Sequence, residues 1–215
     1  MQFEILDEIK SIKYGYFKAG DSPFDGLTNG ISIVVPLSPA VVDQIGKEPT
    51  KTYFQHYRTT NAFIDSLTER LVLEIIGMGY NAAAVPASQS VEGYCGIYPH
   101  KTGALRAGLG YIGKSALFIS DDYGPCVRLG TVFTDMPLPV KNCIQEDKCG
   151  DCRICVTSCP AMAISGKSFC EGDKREDIFD ARACSEYMKK NYQHIGRGSV
   201  CGICMRYCPK RRGNK

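Results

Sequence analysis

The residues of this sequence with the clearest chemical capacity are the cysteines near its C-terminal end. The segment "CGDCRICVTSCP" has the spacing C-x2-C-x2-C-x3-C-P. This spacing is typical of bacterial [4Fe–4S] ligation, in which the first three thiolates bind one cluster and the fourth binds a neighbouring one. The spacing therefore predicts two clusters. The cysteines of this first run are Cys149, Cys152, Cys155 and Cys159.

A second motif, "CGICMRYCP", supplies further ligands. It contains Cys201, Cys204 and Cys208, and it needs a fourth thiolate from elsewhere. Cys184 in "DARACSEY" is the first candidate, and Cys170 is the second. Two zinc sites would also use four thiolates each. Zinc motifs, however, usually pair two C-x2-C knuckles, so a three-thiol run followed by Cys-Pro favours iron and sulfide.

The ferredoxin pattern predicts a crossed arrangement, in which each run gives its last cysteine to the other cluster. We call the two sets the first and the second cysteine group. The first group is Cys149, Cys152, Cys155 and Cys208. The second group is Cys159, Cys201, Cys204 and the fourth thiolate, for which Cys184 or Cys170 is available. The segment "PAMAI" (160–164) predicts a short helix and a strand after the first run.

Composition places these motifs in a C-terminal domain. The chain has 215 residues and twelve cysteines, of which nine lie between residues 149 and 208. Because disulfides are rare in the cytoplasm, clustered cysteines there more often bind metal. The N-terminal "MQFEILDEIK" lacks the pattern of a signal peptide, and no apolar run of about 18 residues is present. We therefore predict a cytoplasmic protein with a mixed α/β body (1–140) and a ferredoxin-like domain (141–215).

The elements of the body follow from hydrophobic periodicity. Alternating apolar residues predict a strand over 30–37, and apolar residues at three- and four-residue steps predict a helix over 52–78. A short strand and a loop are expected at 81–88. The apolar runs 116–120 and 127–135, joined by "DDYGPC", predict a hairpin. The fold class is therefore α+β.

The glycine-rich segment "AGLGYIGKS" (107–115) fits two phosphate-binding patterns, and Asp135 lies where a ribose-binding acid would be wanted. Both patterns need a strand before the loop and a helix after it. The preceding "PHKTGALR" is not an apolar strand, and the five residues after Lys114 are too few for a helix. We therefore expect that this loop does not bind a nucleotide. The glycines indicate positive φ, a close approach to another group, or a tight turn packed against the core.

The segment from "HKTGALRAGLGYIGK" to "VFTDMPLP", followed by both cysteine motifs and "DARAC", resembles the epoxyqueuosine reductase family, and most closely its short relatives with a double [4Fe–4S] domain. The resemblance covers about residues 25–210. It implies two clusters beside a cobalamin-binding domain whose fold is related to reductive dehalogenases. The clusters would feed electrons to cobalt, and the corrinoid would remove an oxygen from a modified tRNA base. The family pattern favours Cys184 over Cys170.

The resemblance also implies roles for residues of the body. The glycine loop matches the family's corrinoid-side loop, in which backbone lies against a flat ring. The implied cofactor-binding residues are Gly108, Gly110, Tyr111, Gly113 and Lys114. The family has an acidic proton donor shortly before this loop, whereas "EGYCGIYPHK" has no Asp at the matching place. The groups that could supply a proton instead are Tyr94, Tyr98, His100 and Lys101.

Within that set, a lysine beside a tyrosine is expected to lower the tyrosine's pKa. The alternative for His100 and Lys101 is a solvated turn after Pro99. The sequence also lacks the family's C-terminal helical repeats, which help to hold tRNA. Together with the missing Asp, this argues against epoxyqueuosine reduction itself.

Three functions remain open. The first is a reductase that passes electrons through the clusters to a corrinoid and then to a small molecule or a modified base. The second is an electron-transfer protein or adaptor whose body only docks partners, and a redox or iron sensor is a weaker third. We expect an electron donor such as a ferredoxin or a flavodoxin and no membrane partner. The net charge of +3 gives no reason to expect nucleic acid.

Overall fold

The computed structural model describes residues 3–89, 91–140, 144–197 and 200–211. It is 36% helix and 17% strand, which confirms the mixed fold class. The strands are β1 (Lys13–Lys18), β2 (Asn29–Pro36), β3 (Ala82–Val85), β4 (Gly110–Ile112), β5 (Phe118–Ser120) and β6 (Val127–Thr134). The helices are α1 (Glu4–Asp7), α2 (Pro39–Val42), α3 (Lys51–Gly77), α4 (His100–Arg106), α5 (Ile154–Ser158), α6 (Arg175–Ile178), α7 (Ala181–Gly196) and α8 (Ile203–Arg206).

The chain forms two compact units, neither of which is one continuous segment. The first unit contains Met1–Pro36, Thr59–Gly110 and Val127–Gln145. The second unit contains Leu37–Arg58, Tyr111–Cys126 and Glu146–Lys215. The second unit thus includes the cysteine-rich segment together with two segments from the predicted body. The two functional domains expected from the sequence, 1–140 and 141–215, therefore stay a prediction.

The first unit is built on a four-stranded antiparallel sheet in the order β1-β2-β6-β3. The expected hairpin between 116–120 and 127–135 is wrong, because β5 pairs with β4, and β6 pairs with β2 and β3. An isolated bridge between Ser120 and Gly124 closes a tight turn directly after β5. The eight residues of β6 then pair along the whole length of β2.

Helix α3 covers this sheet with the apolar face that its periodicity predicts. The buried residues of that face are Ile64, Leu67, Leu71 and Ile75. The helix ends at Gly77, and Met78, which was expected on the same face, is 48% exposed. A Cβ on Gly130 of β6 would lie 2.7 Å from a methyl of Ile64, so the glycine permits close packing of α3 on the sheet.

A second core of the first unit is built around aromatic rings. Tyr98 lies edge-on to Phe133, with ring centroids 4.8 Å apart, and stacks with Phe17 at 6.3 Å. A Cβ on Gly30 would lie 2.2 Å from the Phe17 ring, which leaves room only for hydrogen at this position. This core fixes the segment that leads into α4.

The second unit has its own apolar core, formed by α2, α7, α8 and the first turns of α3. Its buried members are Leu37, Val42, Ile45, Tyr53, Cys126, Tyr192, Val200, Ile203 and Met205. The short helix predicted within 160–164 is a turn, followed by an isolated bridge from Ile164 to Phe179. Among the described helices, none combines the length and the apolar character that a membrane crossing requires.

Candidate electron-transfer site

The eight predicted cysteine ligands all lie in the second unit, and each is partly buried. Short helices position several of them, with Cys155 in α5 and Cys204 in α8. Cys184 lies in the first turn of α7, which starts where the Asp180 carboxylate accepts a hydrogen bond from the Ala183 amide at 2.8 Å. The helix start therefore fixes where the Cys184 thiol lies.

The second cysteine group is brought together around Cys204. Burial raises the pKa of the Cys204 thiol, and the charges of Cys201, Cys184 and Cys159 raise it further. Burial likewise raises the pKa of Cys184, which reaches about 12. The charges of Cys201 and Cys159 are the next largest causes of this increase. Cys159, the last cysteine of the first run, thus lies close to the second run, and its charge also acts on Cys155.

In the first cysteine group, the last cysteine of the second run lies close to the cysteines of the first run. Burial raises the pKa of Cys208, and the charges of Cys155 and Cys152 add to this. The pKa of Cys149 is raised to about 12 by burial first, and the charge of Cys208 contributes. Cys208 therefore lies with the first run, which is the placement that the crossed arrangement predicts.

The other candidate for the fourth thiolate lies elsewhere. Cys170 is exposed, its backbone N–H donates to the Asp173 carboxylate at 2.8 Å, and its charge acts on Lys167. The structure thus places Cys184, and not Cys170, beside the second cysteine group.

Two groups of four thiols are the donor set of two [4Fe–4S] clusters, so the residues fit these cofactors. Burial raises the pKa of Cys149, Cys184 and Cys204, so these thiols are protonated at neutral pH in the metal-free chain. Cluster binding then requires the loss of these protons. Within the described ranges, no three His, Cys, Asp or Glu side chains are close enough to hold a single metal ion.

The start of the glycine loop is a helix C-terminus. Gly108 has φ +71° and follows α4. Its N–H bonds to the Leu105 carbonyl at 3.0 Å, and the Leu109 N–H bonds to the Ala104 carbonyl at 3.1 Å. These two bonds form a Schellman motif, which requires a left-handed residue and favours glycine there. The helix thus precedes the loop, and β5 follows it, which is the opposite of a phosphate-binding loop.

The end of the loop lies against the first cysteine group. A Cβ on Gly113 would lie 3.1 Å from the Cys149 sulfur. The Lys114 backbone N–H bonds to that sulfur, and its ammonium donates to the Gly150 carbonyl. Tyr111 is 2% exposed and has the Lys148 ammonium 5.5 Å from its ring centroid. Gly110 is the buried first residue of β4.

Of the predicted proton donors, His100 and Tyr98 are held in the first unit. The His100 Nε2 lies 2.9 Å from the Pro86 carbonyl, and its Nδ1 lies 2.8 Å from the Thr131 hydroxyl. Burial lowers the pKa of His100, so the ring is neutral at neutral pH, with Nε2–H donating and Nδ1 accepting. His100 begins helix α4, so the alternative of a solvated turn is wrong.

The pKa of Tyr98 is raised, which is the opposite of the expectation from a neighbouring lysine. Burial is the largest cause, and the charge of Asp21 is the second. Tyr98 therefore keeps its proton at neutral pH and is a weak acid. Tyr94 is 43% exposed with φ +59°, and Lys101 is half-buried in α4. The catalytic roles of these four residues stay predictions.

Sequence reasoning missed residues that position the cysteines. The Asp147 carboxylate accepts a hydrogen bond from the Cys149 N–H at 2.8 Å, which is an Asx turn. The Lys210 backbone N–H bonds to the Cys208 sulfur. The signal for Asp147 was available, because an Asp two residues before a turn is typical of this cap. No sequence signal pointed to Lys210.

The cysteine-rich part of the chain matches a family model described as "4Fe-4S double cluster binding domain" over residues 148–211. An epoxyqueuosine reductase of Pseudomonas aeruginosa is 30% identical over 186 residues, which are 79% of this chain and 46% of that protein. The chain thus spans about half the length of this curated relative. The similarity extends well beyond the cysteine motifs.

Two solved structures show the same fold. An epoxyqueuosine reductase from Streptococcus thermophilus matches 98% of this chain and 66% of its own, with a TM-score of 0.62 and 23% identity. A reductive dehalogenase matches 94% of this chain and 30% of its own, with a TM-score of 0.73 and 18% identity. Sequence and fold together confirm the resemblance: the chain is a relative of the epoxyqueuosine reductases and carries a double [4Fe–4S] cluster domain.

Proposed function

We propose that this protein is an iron–sulfur reductase that passes electrons through two [4Fe–4S] clusters to an acceptor bound by the first unit. One observation carries the proposal, namely that Cys208 lies with the first cysteine group and Cys159 with the second. Two clusters ligated in this crossed way would lie close enough for rapid electron transfer between them. When bound, such clusters supply one-electron chemistry.

The chain's own residues hold the two groups beside each other. The charge of Cys155, in the first group, acts on Cys204 in the second. The Asp147 turn helps to position Cys149, and the start of α7 helps to position Cys184.

A reductase explains more of the molecule than a simple electron carrier does. The matched cluster domain occupies residues 148–211, and the first unit has two apolar cores of its own outside that range. Within the first unit, Tyr98 and His100 are positioned by packing and hydrogen bonds. An electron carrier would need neither.

A corrinoid is the first acceptor to test, because the reductive dehalogenase neighbour is described as performing B12-dependent dehalogenation. The predicted ring-holding loop does not fit that role. Gly108 ends a helix, and Gly113 and Lys114 contact the Cys149–Gly150 segment. We therefore derive no step through a corrinoid and define the acceptor only as a group that takes electrons from the clusters.

The cluster arrangement is tested by paired serine variants. Iron and sulfide are measured in anaerobically reconstituted wild type, Cys184→Ser and Cys170→Ser. We expect two clusters per chain in the wild type and in Cys170→Ser, and the loss of one cluster in Cys184→Ser. Zinc in place of iron, or an unchanged iron content in Cys184→Ser, would contradict the proposal.

The acceptor is tested separately. The reduced protein is mixed with hydroxocobalamin without oxygen, and the cobalt and cluster absorption bands are followed. Saturable reduction of cobalt would support a corrinoid acceptor held by residues other than the loop. An unchanged cobalt spectrum would exclude the corrinoid while leaving the clusters in place. Failure of every tested small-molecule acceptor to oxidise the clusters would contradict the reductase and would favour the electron carrier or the sensor.

A further inference from the structure

Lys114 is unusual among the charged residues of this protein because it is buried. Its exposed fraction is 8%, and among the described residues it is the only Lys, Arg, Asp or Glu that is buried. Burying an ammonium group is costly unless an anion or several hydrogen bonds compensate for it. The position therefore needs an explanation in terms of what surrounds it.

The described contacts of the Lys114 ammonium compensate only in part for the cost of burying it. The ammonium donates to the Gly150 carbonyl, which uses one of its three N–H groups. No ion pair between Lys114 and a carboxylate occurs in the described part of the chain. Gly150 directly follows Cys149, so the ammonium lies beside a predicted cluster ligand. A [4Fe–4S] cluster with four thiolates carries a net negative charge, which is the partner that a buried ammonium requires.

The backbone of the same residue reaches the ligand itself. The Lys114 N–H bonds to the Cys149 sulfur. This approach depends on Gly113, because a Cβ there would lie 3.1 Å from the Cys149 sulfur and 3.1 Å from a side-chain carbon of Ile119. The glycine and the lysine of "GK" are thus both explained by the cysteine beside them.

We infer that the Lys114 ammonium, held against the Gly150 carbonyl beside Cys149, sets the reduction potential of the cluster held by the first cysteine group. Reduction adds one negative charge to a cluster, and nearby cations and N–H donors stabilise that charge. Lys114 therefore raises the reduction potential of this cluster. The inference rests on the proposed function only in that the first group binds a [4Fe–4S] cluster.

The second cysteine group has an N–H bond of its own, from Ile203 to the Cys201 sulfur. In the described contacts, however, no lysine or arginine acts on Cys184, Cys201 or Cys204. The effect of Lys114 should therefore appear at one cluster and leave the other unchanged.

The test is an EPR-monitored potentiometric titration of reconstituted wild type and Lys114→Gln. We expect one of the two midpoint potentials to fall by at least about 59 mV. For a one-electron couple this corresponds to a tenfold smaller equilibrium constant for reduction of that cluster. Lys114→Arg should restore most of the shift, because it keeps the cation. The matched control is Lys167→Gln, whose ammonium is half-exposed and pairs with Asp173 at 2.6 Å.

An unchanged pair of midpoints in Lys114→Gln, or an equal shift in Lys167→Gln, would overturn the inference. If Lys114→Gln loses a cluster, iron content becomes the measurement. Retention of that cluster in Lys114→Arg would then support the role of the cation, and loss in both variants would overturn it. A wild type with two clusters but no acceptor turnover would defeat the proposed reductase and leave this inference standing.

Discussion

The four-stranded sheet of the first unit and the first cysteine run of the second unit are held in place in different ways. In β2, seven of eight residues are buried, and the strand pairs with β6 along its full length. Within residues 146–170, the buried apolar side chains are Ala163 and Ile164, whereas Met162 is 88% exposed. One region is stabilised by its apolar core, and the other has almost none.

This difference indicates what stabilises the structure of the cysteine run. Burial of apolar surface contributes roughly 25 cal/mol per Å², so the sheet is stable through its own side chains. The run has local contacts instead, such as the Asp147 cap and the Cys152 N–H bond to the Cys149 carbonyl at 3.1 Å. Such contacts contribute about 1 kcal/mol each. The ligand that its thiols bind must supply the rest of its stability.

Removal of the clusters should therefore have the largest and most local effect. After anaerobic chelation, we expect the amides of residues 149–159 to lose their protection from hydrogen exchange, because their remaining contacts are few. The amides of β2 and β6 should keep their protection. The measurement is hydrogen exchange by mass spectrometry on the loaded and the chelated protein.

The control for this experiment is the Cys170→Ser variant, which should behave as the wild type before and after chelation. Full protection of residues 149–159 in the iron-free chain would mean that the run is stabilised by packing. Equal loss of protection in β2 and in the run would mean that the two regions unfold together.

Local patterns predicted much of this structure. The strand expected over 30–37 is Asn29–Pro36, and the helix expected over 52–78 is Lys51–Gly77. Both are set by periodicity in the segment itself, which the sequence displays directly. The spacing of the two runs predicted the exchange of Cys159 and Cys208, whereas the choice of Cys184 over Cys170 came from the family resemblance.

Features that depend on distant contacts were not predictable. The pairing of β6 with β2 joins residues nearly 100 positions apart, and no local signal distinguishes it from a hairpin with β5. The glycine loop was consistent with a flat ring or a tight turn, because glycine permits both. Only the contact of Gly113 with Cys149, 36 positions away, and the burial of Lys114 separate these alternatives.

A core substitution in the first unit should have the next largest effect. Phe17 is fully buried between Tyr98 and Phe133, so Phe17→Ala should lower the free energy of unfolding by about 3–5 kcal/mol. Because the cavity lies in the first unit, the iron content should stay that of the wild type. Urea unfolding followed by circular dichroism measures the first quantity, and iron analysis measures the second.

Phe63→Ala is the matched control, because Phe63 is 37% exposed in α3 and should cost much less. A loss of iron in Phe17→Ala at temperatures where the sheet remains folded would mean that the two units depend on each other more closely than their separate cores indicate.

The smallest effect concerns pH and two histidines, one in each unit. Burial lowers the pKa of both His56 and His100. The Ser38 N–H donates to the His56 Nε2 at 2.9 Å, so this nitrogen must be unprotonated. His100 Nδ1 accepts from Thr131 in the same way. A group with a lowered pKa that must stay neutral gives stability that is present above its ordinary value of about 6.5 and is lost as the pH falls.

We therefore expect each unit to lose about 1 kcal/mol between pH 7.5 and pH 5, the value of one hydrogen bond. Hydrogen exchange can assign the loss, since His100→Gln should flatten the pH dependence in β6 and His56→Gln should flatten it in α2. His194, exposed in the last turn of α7, gives the control variant His194→Gln. If that control flattens either dependence, the acid sensitivity arises outside His56 and His100.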